Sequence, residues 1–232
     1  PRDRGVLGAA LAPRPAGSNS RTEAVSRADS TDAQCRSRSA TIGAVADIQG
    51  YSDVARILLL YWSGYGQTRR ICERIQAIVR TQGHAVDVAA LDAGTDPAAY
   101  DAVVIGAGIR HGKHDPSVLE FIRRHQPLLE SRPSGFFSVN LVARKPAKNR
   151  PETNPYVKAF VAGSPWKPRL LGVFGGELDY QRYGAFDRAA IRFIMWLTKG
   201  PRDPNTKVEF TDWAEVERFA GRVAGLVARG ST

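Results

Sequence analysis

Residues 63–68 read Ser63-Gly64-Tyr65-Gly66-Gln67-Thr68, two glycines set among side chains that carry hydroxyl and amide groups. An unbroken apolar run precedes them at 57–62, and Ile71, Ile75, Ile78 and Val79 follow at helical spacing. The turn therefore lies where a buried strand passes into a helix. Such a turn can hold an anion, because the first turn of a helix offers unpaired N–H groups and the positive end of the dipole. Gly64 and Gly66 let the backbone approach closely, and Ser63 and Thr68 add hydroxyls. No Lys-Ser or Lys-Thr pair follows and the glycine spacing is not GxGxxG, so a single phosphate monoester fits better than a triphosphate or a dinucleotide. Taken alone, the turn also reads as an ordinary helix cap, the commoner case.

Further polar groups recur at similar places. Gly108, Ile109, Arg110, His111, Gly112 and Lys113 follow a β-branched run at 102–107 that ends in Ala107, and Gly175 and Gly176 close another run at 169–176. A basic, proline-rich stretch, Arg144-Lys145-Pro146-Ala147-Lys148-Asn149-Arg150-Pro151, lies between two of the strands. It is either a functional connection or a solvated loop. Of the four histidines, His111 and His114 share a loop, and a solvated or substrate-facing role suits them better than metal ligation.

The elements that must position these groups alternate. Strands are expected at 57–62, 85–90, 102–107, 134–140 and 169–176, the second toward a sheet edge because its pattern alternates. Gly83 ends the first helix, Asp115 or Ser117 caps the next, residues 154–160 form a returning helix, and Thr211 or Asp212 caps the last. This is an α/β, doubly wound, parallel five-stranded sheet with helices on both faces and an inserted basic loop. Ligands of such sheets bind beyond the carboxyl ends of the strands, where strand order reverses. The helix expected at 186–199 carries Arg188, Arg192 and Lys199 beside Phe193, Met195 and Trp196. It reads either as a helix packed on the sheet or as a membrane-interface helix.

The formal charge is +10, and beyond residue 52 there are 26 basic against 18 acidic residues, so the folded part carries most of the excess. That favours anionic substrates, acidic membranes or nucleic acid without choosing among them. Residues 1–53, rich in Ser, Arg, Ala and Gly, read as a disordered extension of no catalytic importance. They lack a secretory apolar stretch, and their scattered acids argue against a transit peptide. No apolar run is long enough to span a bilayer. Cys35 and Cys72, one in the extension and one on the first helix, argue against a structural disulfide and fit a reducing cytoplasm.

Together these loops resemble the flavodoxin family, whose phosphate loop has the form T-x-T-G-x-T. Ser63, Gly66 and Thr68 fit it, and Tyr65 replaces the middle hydroxyl. YGQTR at 65–69, VVIGAGIRHGKH at 103–114, SVNLVARKP at 138–146 and TDWAEV at 211–216 are similar to the bacterial quinone-dependent protoporphyrinogen IX dehydrogenases of the HemG type. The resemblance covers about 56–227 and makes residues 54–230 one flavodoxin-like FMN-binding domain.

What the resemblance implies is an FMN enzyme of haem biosynthesis that aromatises protoporphyrinogen IX to protoporphyrin IX and passes electrons to menaquinone or ubiquinone. Ser63, Gly64, Tyr65, Gly66, Gln67 and Thr68 would hold the FMN phosphate. Ala107, Gly108, Ile109, Arg110 and Gly112, with Ser138, Val139, Asn140 and Leu141, would border the isoalloxazine, and Gly175, Gly176 and Tyr180 would close the other side. His111 is the candidate proton acceptor. Arg144, Lys145, Lys148 and Arg150 are candidate anchors for the substrate carboxylates. Lipid-associated substrates point to peripheral attachment at the cytoplasmic face of the bacterial inner membrane, and homo-oligomerisation stays open. The alternatives are a flavodoxin-like NAD(P)H:quinone reductase and, less suited to a basic domain, an electron-carrier flavodoxin. No nucleic-acid motif is present.

Overall fold

A computed structural model describes residues 54–182, 184–197, 200, 201, 203, 205 and 207–228, so the expected disordered extension at 1–53 lies outside the described residues. The first strand, β1 (Arg56–Trp62), shows why the sheet needs helices on both faces. Its residues alternate between two cores. Ile57 and Leu59 face one cluster with Ile71, Ile75 and Val79 of α1 (Gln67–Thr81), while Leu58 and Leu60 face another with Val118 and Ile122 of α2 (Pro116–Arg124). All four are essentially inaccessible, and each such side chain contributes about 1.5–3 kcal/mol of burial.

β2 (Ala85–Ala90) and β3 (Ala102–Arg110) flank β1 in parallel, and β5 (Ser134–Asn140) and β6 (Leu170–Gly175) extend the sheet beyond β3. The order β2-β1-β3-β5-β6 puts β2 at an edge, as its alternation indicated, and reverses direction between β1 and β3. That reversal is where a doubly wound sheet opens a ligand crevice. α6 (Trp213–Ala228) lies with α1 on one face. On the other, α2 is joined by α3 (Gln126–Ser131), through Leu129, and α4 (Pro155–Gly163), through Phe160.

Two features depart from plain alternation. β4 (Lys113–His114) folds back antiparallel on the end of β3, through a turn in which His111 and Gly112 both have positive φ, 49° and 76°. That is the backbone a two-residue hairpin turn favours. The basic stretch expected as the inserted loop is compact, consisting of 3-10 turns at Leu141–Arg144 and Pro146–Lys148. The long excursion comes instead after β6. Here β7 (Glu177–Asp179) pairs antiparallel with β8 (Lys207–Glu209), and between them run a 3-10 turn at Tyr180–Arg182 and α5 (Ala185–Leu197). Leu178, Tyr180 and Met195 are its buried centre, packed with Tyr65, Leu141, Ile191 and Phe210.

Candidate functional site

At the carboxyl ends of β1, β3 and β5 lies a cleft of about 550 Å³, within the range of roughly 300–1,000 Å³ typical of cofactor and small-molecule sites. One wall is the turn between β1 and α1. Gly66 stands at the head of α1 in the left-handed region, φ 93°, and no side chain caps the helix. Its N–H donates to Ser63 Oγ at 2.9 Å, which folds the turn, and the amides of the first helical turn have no side-chain cap. The Thr68 hydroxyl enters the cleft wall because residue 108 has no side chain: a Cβ there would sit 3.2 Å from Thr68 Oγ1. A cradle of amides and a hydroxyl kept open by missing side chains fits a phosphate.

Gln67 contributes differently from its neighbours. Its side-chain amide donates to Glu209 Oε1 at 2.8 Å and Thr211 Oγ1 at 2.7 Å, and its Oε1 accepts from Arg70 at 2.8 Å. The side chain thus ties α1 to β8, and only the backbone of Gln67 belongs to the cradle. Tyr65, the departure from the hydroxyl pattern, uses its ring to join the apolar centre of the excursion, and the Arg110 guanidinium lies 5.7 Å from that ring's centroid.

The second wall comes from β3 and its hairpin, with Gly108, Ile109, Arg110, His111 and Gly112, and the third from Val139, Asn140, Leu141, Arg144, Lys145 and Lys148. Asn140 organises the third. Its Oδ1 accepts from Ala143 N at 3.0 Å and from the Asn154 side chain at 3.1 Å, while its Nδ2 donates to Ser138 Oγ at 3.2 Å. This holds the turn that presents Arg144, whose Nη1 donates to Leu141 O at 3.0 Å and whose pKa burial lowers.

Several expected residues stand elsewhere. Ala107 and Ser138 are fully buried on the α2 and α4 side of the sheet, since the pleat sends alternate residues to opposite faces. Gly175 and Gly176 accept from Thr211 Oγ1 and Phe210 N and so anchor the return of the excursion. Tyr180 is buried, donating its hydroxyl to Pro201 O at 2.8 Å. Arg150 lines a separate cavity with Gly175 and Arg169. His114 is not substrate-facing. Its Nε2 lies 3.0 Å from Ser138 Oγ, its ring packs edge-on to Phe136 and Phe160, and burial pushes its pKa down to about 4. The cleft gains Trp62, Val142, Tyr156, Glu177, Ile191 and Met195. Burial raises the Tyr156 pKa. No local signal marked Tyr156 or Glu177, whereas Ile191 and Met195 belong to an apolar helix stripe that was visible without its destination.

Residues 58–205 match the family described as flavodoxin domain. Over 173 residues the chain is 40% identical to protoporphyrinogen IX dehydrogenase [quinone] of Escherichia coli strain K12, spanning 74% of this chain and 96% of that protein. The chain belongs to the quinone-dependent protoporphyrinogen IX dehydrogenases of the flavodoxin domain family. A Leishmania major protein of the same name is 39% identical over 178 residues, covering 75% of this chain and 77% of its own. The solved structure of oxidised flavodoxin 1 from Bacillus cereus is 13% identical, with a TM-score of 0.43 over 77% of this chain and 100% of its own. For a quinone-dependent protoporphyrinogen IX dehydrogenase built on a flavodoxin domain, the cofactor is a flavin, and the turn between β1 and α1 sits at the strand reversal, the place where doubly wound sheets bind ligands.

Proposed function

We propose that this chain oxidises protoporphyrinogen IX to protoporphyrin IX with FMN as its flavin, delivering the electrons to a respiratory quinone. The observation that carries the reading is the coincidence of two unlike requirements in one cleft. A phosphate cradle at Ser63, Gly64 and Thr68, with Gly66 behind it at the head of α1, shares it with the cationic groups of Arg144, Lys145 and Lys148. The cradle favours the phosphorylated flavin over an unphosphorylated one. The cations suit a macrocycle that carries carboxylates.

Bound flavin supplies the two-electron redox chemistry, and the protein orients it and shapes the field around it. Gly108, Ile109 and Arg110 with Val139, Asn140 and Leu141 wall the ring's place. Arg144 and Lys145 hold the substrate's carboxylates, and His111, exposed on the hairpin at the rim, takes up protons released from pyrrole nitrogens. Peripheral attachment to the cytoplasmic face of the inner membrane completes the proposal. It is supported by exposed Phe193 and Trp196 beside Arg188 and Arg192 on α5. No helix among the described residues is long and apolar enough to cross a membrane.

Anaerobic mixing of the FMN-loaded protein with protoporphyrinogen IX and a menaquinone analogue tests the activity. Porphyrin fluorescence is expected to grow in proportion to the quinone supplied. A flavin-loaded protein that forms no porphyrin, and whose flavin is instead bleached rapidly by NADPH, would be a quinone reductase.

A further inference from the structure

The phosphate cradle has a neighbour from a distant part of the chain. A Cβ placed on Gly66 would lie 3.7 Å from Arg182 Nη2, so the Arg182 guanidinium stands directly against the turn at the head of α1. Arg182 arrives there on the 3-10 turn that follows β7, and the excursion is fastened to α1 by Gln67 and by Arg70, whose Nη2 reaches Glu209 at 3.4 Å. The guanidinium is held from behind. Its Nη1 lies 3.4 Å from Glu177 Oε2, on a side chain only 9% exposed.

Glu177 is shared among three cations, since Arg70 Nη1 and Lys207 Nζ also reach it at 3.9 and 3.6 Å. Arg70 and Lys207 have second carboxylates, Glu209 and Asp179. Arg182 has its remaining terminal nitrogen, Nη2, beside the cradle. A planar guanidinium braced on one edge by a carboxylate presents its other donors in a fixed direction, the geometry that recognises phosphate oxygens.

We propose that Arg182 is a phosphate ligand of the bound flavin, supplied to the cradle by the excursion, and that its charge selects FMN over riboflavin. This rests on the reading of the cleft as an FMN site. The competing account makes Arg182 one member of a partly exposed ion pair with Glu177, contributing little to stability and nothing to ligand choice.

Titration of the flavin-stripped full chain with FMN and with riboflavin, followed by flavin fluorescence, separates the two. The wild type is expected to bind FMN more tightly than riboflavin. Arg182→Ala is expected to weaken FMN by about tenfold and leave riboflavin unchanged, with Arg182→Lys between, because a charge-assisted bond to an exposed guanidinium falls at the low end of its range. A wild type that prefers FMN, with Arg182→Ala unchanged or weakened equally for both flavins, overturns this inference alone. A wild type that takes riboflavin as tightly as FMN overturns the phosphate cradle itself, and this inference with it.

Discussion

Arg144 shows how a side chain legible as mere charge becomes a directed group. Its Nη1 is spent on Leu141 O, its surroundings are partly desolvated, and the 3-10 turn that carries it is pinned by Asn140. An anchored guanidinium loses little conformational freedom when it takes a carboxylate, and Lys145 follows it into the cleft wall. Replacing Arg144 and Lys145 together with Ala is expected to raise the porphyrinogen KM by about tenfold, a loss of ground-state binding. Flavin content should stay at the wild-type ratio, measured by absorbance of the purified protein, and an unchanged KM removes the assignment. Their position beside a strand end was visible in the sequence. Tyr156 and Glu177 were not, because they reach the cleft from α4 and β7, and no local spacing records a contact made across the fold.

Elements were readable where burial imposes a period. β1, β3, β5 and β6 are apolar runs, and α1 shows its face in Ile71, Ile75 and Val79. β7 and β8 went unread because three residues are too few to show alternation. The pleat also divided a stretch the family resemblance had treated as one wall, so Val139 lines the cleft while Ser138 turns inward to His114. That inward contact stitches the β3–β4 hairpin to β5, and it has a pH signature. His114 has a folded pKa of about 4 against an ordinary 6.5. Between those values the unfolded chain binds a proton that the folded chain refuses, so stability rises with pH across the window and falls on acidification. The loss from pH 7 to pH 4.5 attributable to this group is about 2–3 kcal/mol. Urea unfolding at both pH values should show His114→Gln losing less than the wild type by that amount, and equal losses would remove the argument.

Across the whole molecule, charge and apolar surface meet on α5. Its inner side is committed, with Met195 buried and Ile191 half-buried against the centre of the excursion. Its outer side keeps Phe193 62% and Trp196 57% exposed, with ring centroids 5.8 Å apart. Arg188 and Arg192 precede Trp196 at steps of four, so cations and an aromatic share one exposed stripe. The sequence left a sheet-packed helix and an interfacial one as rivals. In the fold α5 packs its inner side on the excursion and leaves Phe193 and Trp196 exposed on the other. In a chain of formal charge +10, such a stripe suits a negatively charged lipid surface, where aromatic rings enter the headgroup region and arginines meet the phosphates. Flotation with vesicles rich in phosphatidylglycerol is expected to carry the protein at low salt and release much of it as salt screens the attraction. Phe193→Ser with Trp196→Ser should weaken the partition by about tenfold while leaving flavin binding intact, since the exchanged rings lie outside the cleft. Flotation that responds to salt but ignores both rings would place the contact on another basic surface, and no flotation at low salt would detach this enzyme from the membrane.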